Sequence, residues 1–431
     1  ADFNAVKLQS RKKENLIECA DYCISFAAYM MDPREIKASH YQYELPDERI
    51  ASWPLEKRSA SKLLVWSQGQ IKHSHFYNLG EELAAGDTLF LNHTKVIPAR
   101  LLFHNRNGGA IEVFCLEPSG ISIELGMASS GQCNWYCLVG GARKWRDDEA
   151  LQISKSGTEL SARIVGREEG RFQIQFTWLG VNSFSDVLTT FGNIPLPPYF
   201  KRDAVESDWE RYQTVFARYE GSVAAPTASL HFDDELLQHL PQRGIAIREL
   251  SLHVGAGTFK PVTSETMKDH DMHAEPFSVP LATIESCMNV GRCIAVGTTA
   301  MRTLESLYWL GRKILLGKWE DDALVIGQWE PYDEADKPSK HEALSALIQW
   351  MKEQELHTLC ASTSLMIAPG YRMRVCDGLI TNFHQPGSTL ILLVAAATGN
   401  QWRAIYDEAL RNEYRFLSYG DSSLLWINSS E

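Results

Sequence analysis

The chain is poor in cysteine, and its few thiols are badly spaced for cross-linking. Its 431 residues include 9 cysteines; Cys19 and Cys23, like Cys133 and Cys137, form Cys-x3-Cys pairs, and no Cys-x2-Cys pair occurs. Disulfide scaffolds are short secreted chains with far denser cysteine. We therefore expect reduced thiols and a cytoplasmic protein.

Long apolar runs and an excess of positive charge are also missing. The longest strongly apolar run, residues 390–397, falls well short of the roughly 20 residues that a membrane-spanning helix needs. With 42 Lys and Arg against 54 Asp and Glu, the formal net charge is −12. This counts against a protein that coats nucleic acid, because phosphate neutralisation supplies most non-specific affinity. A local basic groove is still compatible with it, and the candidates are Lys201, Arg202, Arg211, Arg218, Arg372 and Arg374.

The composition is that of an ordinary globular protein. Hydrophobic residues make up 44% of the chain and charged residues 22%, and the length suggests about two or three domains. Residues 1–30 are expected to be a leader or tag outside the fold. Their basic and apolar stretches resemble a signal peptide only faintly, because Glu18 and Asp21 interrupt them and no small-residue cleavage site follows.

Short strand-like segments follow one another from about residue 87 to residue 178. They include DTLFLN, AIEVFCLE, WYCLVGG and RFQIQFTW, and glycine and charged turns separate them. Many short strands at close spacing are typical of a β-sandwich or barrel. The proline-rich stretch GNIPLPPYF, residues 192–200, forces an extended connection and indicates a domain boundary.

After residue 230, helix-like and strand-like segments alternate. DDELLQHLPQRG, LATIESCMNVG, TTAMRTLESLYWLG and HEALSALIQWMKEQ predict helices, whereas IAIRELSLHVG, RCIAVG, SLMIAP and DGLITNF predict strands. This alternation is typical of an α/β layer.

Polar clusters fall at the ends of these strands, where an open α/β sheet usually binds ligands. In LHVGAGTFKPV, Gly255 and Gly257 follow a strand, but the third glycine of a dinucleotide motif is absent and Pro261 prevents the required helix. The glycines either let the backbone approach a ligand or form a tight turn.

The segment HDMHAEPF offers His270, His273 and Glu275. This set could bind zinc, but a third ligand of known spacing is missing. Acid–base chemistry is favoured, because burial and neighbours can move the pKa of His and Glu towards neutrality. A solvated structural loop is the alternative.

The segment VGTTAMRTLE is a strand that runs into a helix. Thr298 or Thr299 can cap this helix, and its free N–H groups could hold an anion or a carboxylate. Arg302 and Glu305 lie three residues apart on one helix face. An ordinary capped helix with a surface ion pair is therefore the alternative.

Ten segments in a fixed order carry a resemblance to a known family. They are YQYELPDERIA, GDTLFLNHTKVIPARL, PLPPYF, RYQTVFARYEGSVAAPTASLHF, LHVGAGTFKPV, HDMHAE, VGTTAMRTLES, APGYR, TNFHQPGSTL and YRFLSYGD. Through them the chain resembles the S-adenosylmethionine:tRNA ribosyltransferase-isomerase family of the queuosine pathway. The resemblance covers residues 41–421, and its longest segment, residues 211–232, is the most specific.

The resemblance implies a fold and a reaction. The fold is an α/β sandwich domain, residues 31–86 and 192–431, with an inserted all-β barrel domain, residues 87–191. The reaction transfers the ribosyl moiety of S-adenosylmethionine to 7-aminomethyl-7-deazaguanine at the tRNA wobble position and isomerises it, giving epoxyqueuosine-tRNA, adenine and methionine. The implied partners are S-adenosylmethionine and the anticodon loops of the tRNAs for tyrosine, histidine, asparagine and aspartate. We expect a monomer that needs no metal and no membrane.

Roles for individual residues are hypotheses within these segments. Acid–base groups are expected among His231, His253, His270, His273 and Glu275, because a proton must leave beside the sulfonium and adenine must leave protonated. Residues 211–232 are expected to form an active-site wall. Aromatic stacking is expected from Tyr212, Phe232, Phe259 and Phe383. Arg211 and Arg302 would hold phosphate, ribose or the methionine carboxylate. The other binding candidates are Gln213, Thr214, Pro226, Thr227, Gly255, Gly257, Thr258, Thr298, Thr299, Asn382 and His384.

The chain departs from the family pattern in two places. Residues 318–360 add an acidic loop and a helix, which we interpret as a lineage-specific insertion. Gln385 and Gly387 stand where the family motif predicts Leu and Lys. Three alternatives stay open: a divergent paralogue that uses S-adenosylmethionine with another acceptor, a metal-dependent hydrolase built on His253, His270 and His273, and an RNA-binding module without activity.

Overall fold

The structure, a computed structural model, describes residues 32–168, 170–255, 264–289, 291–318 and 324–427. The leader or tag expected over residues 1–30 lies outside these residues, as do Gly257, Thr258 and Phe259 of the expected site. None of the helices in these ranges is long and apolar enough to cross a membrane.

The secondary structure of the described residues alternates between strands and helices. The strands are β1 (Lys62–Ser67), β2 (Gln70–His75), β3 (Thr88–Asn92), β4 (Thr94–Val96), β5 (Arg100–His104), β6 (Ala110–Pro118), β7 (Gln132–Gly140), β8 (Leu151–Lys155), β9 (Thr158–Glu168), β10 (Arg171–Leu179), β11 (Gly192–Asn193), β12 (Tyr219–Ser222), β13 (Ala246–Leu252), β14 (Glu275–Pro280), β15 (Cys293–Val296), β16 (Val325–Ile326), β17 (Thr358–Thr363), β18 (Gly378–Asn382) and β19 (Ser422–Trp426). The α-helices are α1 (Leu79–Glu82), α2 (Ile123–Ala128), α3 (Phe184–Phe191), α4 (Asp208–Arg211), α5 (Asp234–Gln242), α6 (Leu281–Ser286), α7 (Thr298–Leu315), α8 (Glu330–Asp333), α9 (Lys340–Glu353), α10 (Thr389–Thr398) and α11 (Gln401–Arg411).

Ten strands of the described chain form one mixed sheet, in the order β16–β17–β14–β13–β3–β15–β18–β19–β1–β2. The four central strands, β13, β3, β15 and β18, run parallel. Strands β3, β15 and β18 are buried along their whole length, as expected for parallel strands covered by helices on both faces. Helices α7 and α9 pack on one face, and α1 and α5 on the other.

Seven further strands of the described chain form an antiparallel sheet, in the order β11–β5–β6–β7–β10–β9–β8. Its core gathers Trp135, Phe176 and Trp178 around Phe184 of α3. The sheet curls, so that β8 comes close to β5. The α/β fold class with an inserted all-β unit is confirmed.

The domain boundary predicted at residue 87 lies too early. Segment Thr88–Asn92 is β3, which pairs in parallel with β13 and β15 inside the large sheet, and the inserted sheet begins only at Arg100. A short apolar run can belong to either kind of sheet, so periodicity alone could not assign it. The rest of the proposed division into two domains stays a prediction.

The strand predicted over SLMIAP, residues 364–369, is also wrong. The strand is β17, which ends at Thr363. The following segment is held by a side chain instead, because the Tyr332 hydroxyl donates to the Met366 carbonyl and accepts from the Ala368 N–H, both at 3.0 Å.

Helix α7 confirms the predicted helix, but its charged residues are not on the surface. Arg302 and Glu305 are both buried, and each has partners outside the helix rather than the other residue. Four donors surround the Glu305 carboxylate at 2.8–3.0 Å: the hydroxyl of Tyr371 and the backbone N–H groups of Arg374, Val375 and Cys376. A buried carboxylate is tolerated when its oxygens are satisfied in this way.

Residues 318–360 contribute to the main core. Helix α9 buries Leu344 and Leu347 against α7. The two helices approach so closely that a Cβ atom at Gly311 would lie 2.1 Å from the Ala343 carbonyl oxygen. Glycine is therefore required at this crossing. That the segment is a lineage-specific insertion stays a prediction.

We predict that Glu305→Gln destabilises the protein by about 3 kcal/mol. An amide turns an NH2 group towards N–H donors, so at least one buried donor loses its acceptor. Urea unfolding followed by circular dichroism measures the difference. The matched control is Glu353→Gln, at the exposed end of α9, which is expected to change the free energy of unfolding by less than about 0.5 kcal/mol. Equal effects of the two variants would contradict the assignment.

Candidate active site

A cleft of about 790 Å³ lies between the inserted sheet and the large sheet. Its volume is in the range of small-molecule sites, roughly 300–1,000 Å³. The inserted sheet contributes Leu116, Glu117 and Arg171, and helix α2, which follows β6, contributes Ile123 and Glu124. The large sheet and its loops contribute His253, Gly255, His270, Met272, His273, Glu275, Thr298, Thr299, Arg302, Cys360, Met366, Ile367, Ser388 and Thr389.

The cleft lies at the carboxyl ends of the central parallel strands, where such sheets usually bind ligands. His253 follows the last residue of β13, and Thr298 follows β15 after one glycine. Strand β14 is antiparallel to β13, so its first residue, Glu275, lies at the same edge. The topology therefore brings together predicted residues from three separate sequence segments.

Arg302 and Glu275 form a buried ion pair in the wall of the cleft. The Arg302 Nε also donates to the Leu365 carbonyl at 3.2 Å, and its Nη2 donates to the Thr363 carbonyl at 3.3 Å. The second Glu275 oxygen accepts the Gly255 N–H at 3.1 Å. These contacts attach the loop after β13 to α7 and β17, so both side chains have structural partners.

His253 is buried, and its Nε2 lies 3.7 Å from the Oε1 of Glu124, in helix α2 of the inserted unit. Burial lowers the pKa of the His253 imidazole, and the negative charge of Glu124 opposes that shift. The Glu124 side chain itself is 66% exposed. A buried imidazole and an accessible carboxylate thus face each other across the cleft.

Gly221 explains how the two sheets come so close at this point. Its φ is +136°, a backbone conformation that side chains other than glycine rarely adopt. A Cβ atom there would lie 2.9 Å from the Ile123 side chain and 3.0 Å from the His253 Nδ1. The glycine of the EGSV segment therefore leaves the space in which α2 meets His253.

His270 and His273 lie on one loop at the edge of the cleft. The Gln328 side chain holds this loop, donating to the His270 carbonyl at 2.7 Å and accepting from the Met272 N–H at 2.9 Å. Burial lowers the pKa of His270, and His273 is exposed. The described residues contain no group of three or more His, Cys, Asp and Glu side chains placed to hold a metal ion.

Two helices begin at the cleft. Thr298 and Thr299 open α7, which is 18 residues long, and Ser388 and Thr389 open α10. The free N–H groups of such helix ends attract carboxylates and other anions. The predicted cap is wrong, because Gly297 occupies the N-cap position and no hydrogen bond from a described side chain caps α7. That Thr298 and Thr299 bind a ligand stays a prediction.

Several predicted site residues lie elsewhere. Tyr212, Phe232 and Phe383 are each buried in a different apolar core and are not cleft walls in this structure. Gln213 pairs with the Val96 backbone, donating at 2.7 Å and accepting at 2.9 Å. Thr214 is buried, and Pro226 and Thr227 begin a short 3-10 segment, Thr227–His231. Within residues 211–232, the aromatic side chains Tyr212 and Phe232 thus pack in apolar cores, whereas Gly221 lines the cleft. That the segment forms an active-site wall stays a prediction.

His231 lies in a second, smaller pocket. Its Nδ1 is 2.9 Å from the Ser61 Oγ, and its Nε2 is 3.1 Å from the Asn382 Nδ2. Burial and the charges of Arg415 and Arg58 lower its pKa to about 3, so the neutral ring is a weak base, poorly matched to proton transfer near pH 7. His384 bonds the Thr381 hydroxyl at 2.9 Å, and burial lowers its pKa to about 4.

Sequence patterns missed the contribution of the inserted sheet. Glu124 and Glu117 occur among strand-like segments without any motif of their own, and only the packing of the two sheets brings them to the cleft. Arg171 also reaches the cleft, but it pairs with Glu117 at 2.6 Å and lies over the Tyr136 ring.

Comparisons with known proteins agree on one family. A family model described as "Queuosine biosynthesis protein" matches residues 38–425. An "S-adenosylmethionine:tRNA ribosyltransferase-isomerase" of Legionella pneumophila (strain Paris) is 37% identical over 392 residues, which cover 89% of this chain and 98% of that protein. A protein of the same name from Prochlorococcus marinus (strain MIT 9313) is 36% identical over 414 residues, covering 93% and 97%. The crystal structure of an S-adenosylmethionine tRNA ribosyltransferase from Thermotoga maritima is 28% identical, covers 89% of this chain and 99% of that chain, and has a TM-score of 0.42.

We predict that His384 makes the protein less stable in acid. Its folded-state pKa of about 4 lies below the ordinary value of 6.5. Below pH 6.5 the unfolded chain binds a proton that the folded chain does not, so stability is lost as the pH falls towards 4. The slope attributable to one histidine is roughly 1.4 kcal/mol per pH unit.

Urea unfolding at several pH values between about 4.5 and 7 tests this dependence of stability on pH. His384→Gln is expected to flatten the slope by about one proton. His341→Gln, at an exposed position of α9, is the matched control and should leave the slope unchanged. A wild-type slope in His384→Gln would contradict the burial argument.

Proposed function

The chain belongs to the queuosine biosynthesis protein family, and on that premise we propose that its cleft is the site of ribosyl transfer and isomerisation. The enzyme transfers the ribosyl moiety of S-adenosylmethionine to 7-aminomethyl-7-deazaguanine at the wobble position of tRNA and isomerises it. The products are epoxyqueuosine-tRNA, adenine and methionine. The observation that carries the site assignment is the pairing of buried His253 with Glu124 in a cleft of matching size.

The charges of the cleft suit S-adenosylmethionine as co-substrate. A sulfonium is a cation, and Glu124 places an exposed carboxylate in the cleft. The methionine carboxylate is an anion, and the starts of α7 and α10 offer N–H groups to it. The apolar wall of Met366, Ile367 and Leu390 offers a surface for the adenine ring. Bound there, S-adenosylmethionine supplies the activated ribose and adenine as the leaving group.

His253 is our candidate for the base. Its lowered pKa leaves the imidazole neutral near pH 7, which is the form that accepts a proton. Glu124 stabilises the imidazolium that then forms. Glu275 is a poorer candidate, because Arg302 and the Gly255 N–H already hold both of its oxygens. His270 and His273 lie at the edge of the cleft and stay candidates for the proton that leaves with adenine.

The acceptor tRNAs, the oligomeric state, the cellular location and the metal requirement are inferred from the family. We propose that the anticodon loops of the tRNAs for tyrosine, histidine, asparagine and aspartate are the acceptors, and that the protein is a cytoplasmic monomer that needs no metal.

A turnover assay tests the function. Purified protein is incubated with S-adenosylmethionine and tRNA that carries 7-aminomethyl-7-deazaguanine, with a chelator present, and adenine release is measured by chromatography. We expect release that depends on the modified base and is unaffected by the chelator. Release without modified tRNA, or none at all, would contradict the proposal.

We predict that Glu124→Gln lowers kcat by roughly tenfold and moves the acidic limb of the pH profile of kcat/KM to lower pH. The direction follows because Glu124 raises the pKa of His253. His253→Asn is expected to lose at least about 100-fold in kcat.

Two control variants test whether the effect is specific to Glu124. The first is Glu249→Gln. Glu249 lies 3.8 Å from His93, a histidine near His253, so this variant removes a carboxylate that is more distant from His253. Glu159→Gln, on the exposed side of β9, controls for net charge. If Glu159→Gln moves the profile as far as Glu124→Gln, the specific role of Glu124 is wrong.

A further inference from the structure

The second pocket gathers sequence motifs that the cleft does not use. It is a narrow space of about 20 Å³, and its lining includes Arg58, Arg211 and Arg415 together with Ser61, His231 and Tyr419. Arg211 and His231 lie near the two ends of the long specific segment, residues 211–232, and Arg415 belongs to YRFLSYGD. Residues of these two motifs therefore meet outside the cleft.

Two of the three arginines of this pocket, Arg58 and Arg211, are not neutralised by carboxylates of the described residues. Within the described residues, Arg58 donates to the carbonyls of Gln213 and Glu210, at 2.8 and 2.9 Å, and has no carboxylate within ion-pair distance. Arg211 likewise bonds the carbonyls of Leu55 and Glu56. Only Arg415 has an acidic partner, Asp421 at 3.2 Å. Carbonyls orient a guanidinium but leave its full charge in place.

Unused donors also point to a missing ligand. The Arg211 Nε is buried and has no hydrogen-bond acceptor in the described part of the chain. With the Asn382 Nδ2 donating to the His231 Nε2, the proton of the neutral ring lies on Nδ1 and is donated to the Ser61 Oγ. The Ser61 hydroxyl proton is then free. Burial and the charge of Arg211 lower the pKa of Arg58, so an anion would relieve real repulsion.

The size of the pocket restricts the ligand. A space of about 20 Å³ for water-sized groups admits one or two oxygen atoms, at roughly 10–15 Å³ each. A nucleobase does not fit, whereas the non-bridging oxygens of a phosphate do. Arginine forks are well matched to phosphate oxygens.

The pocket also lies close to the cleft. The segment Thr227–His231 connects them, because a Cβ atom at Gly297, just before α7, would lie 3.5 Å from Ala228, while His231 lines the pocket. Three residues of a 3-10 helix rise only about 6 Å. An RNA strand with a base in the cleft would therefore have its phosphate backbone close to the pocket.

We propose that Arg58, Arg211 and Arg415 form a phosphate-binding pocket for the backbone of the RNA substrate, next to the nucleotide that enters the cleft. The proposal rests on the proposed function for the identity of the RNA. It assigns the positive charge of S-adenosylmethionine and the negative charge of the RNA backbone to two different sites. The cleft, where Glu124 presents an exposed carboxylate, receives the cationic sulfonium, and the arginine pocket receives the phosphodiester.

Binding of a fluorescent anticodon stem-loop, measured by anisotropy at several KCl concentrations, tests the proposal. We expect Arg211→Gln and Arg415→Gln each to weaken binding about 5–20-fold at low salt and to reduce the slope of log K against log salt by about 0.7. Arg211→Lys keeps the charge and should recover most of the affinity. In turnover assays, KM for tRNA should rise while kcat and the binding of S-adenosylmethionine stay unchanged.

Arg163→Gln is the matched control, since Arg163 is exposed on β9 away from both pockets. Thermal melts identify any variant that fails to fold, and the Arg211→Lys rescue then decides whether charge or structure is responsible. Wild-type affinity and salt slope in both Arg211→Gln and Arg415→Gln would overturn the RNA assignment.

A second experiment distinguishes the source of the phosphate. Inorganic phosphate is added to the protein without RNA, and the melting temperature is followed. A rise in the wild type that Arg211→Gln abolishes, together with unchanged RNA binding, would assign the pocket to a free anion and overturn its role in RNA binding. Salt-dependent stem-loop binding without adenine release would contradict the proposed function and leave the phosphate pocket in place.

Discussion

The carboxylate of Glu305, buried in the middle of α7, is the interaction on which the centre of the molecule depends. Its charge is tolerable only because four donors from residues 371–376 surround it. One turn earlier, Arg302 pairs with Glu275 and with the carbonyls of Thr363, at the end of β17, and Leu365. Helix α7 thus attaches the loops on both sides of the cleft, and its first turn lies at the cleft.

The candidate site exists because two sheets meet at a glycine. Gly221 leaves room for His253 on one side and Ile123 on the other, and the same contact carries Glu124 to His253. His253 and Glu124 therefore belong to different parts of the fold. Movement of the inserted unit relative to the large sheet would change the distance between the imidazole and the carboxylate directly.

Charge is segregated over a short distance. The chain is acidic overall, with a formal net charge of −12. The cleft has an exposed carboxylate at Glu124, whereas its other glutamates, Glu117 and Glu275, pair with arginines. The arginine pocket, lined by Arg58, Arg211 and Arg415, is instead rich in positive charge. A protein that must hold a sulfonium and an RNA backbone at neighbouring points benefits from this arrangement, because each ligand is repelled from the place of the other.

Local patterns were sufficient to predict the α/β class and the helices α5 and α7, because hydrophobic periodicity depends on neighbouring residues. The order of ten motifs was sufficient to predict the family. Tertiary structure alone decided that β3 belongs to the large sheet, that His253 meets Glu124, and that His231 and Arg211 meet Arg58 and Arg415 in a different pocket. Residues adjacent in a motif can point to opposite faces of a sheet, so membership of one motif does not determine membership of one site.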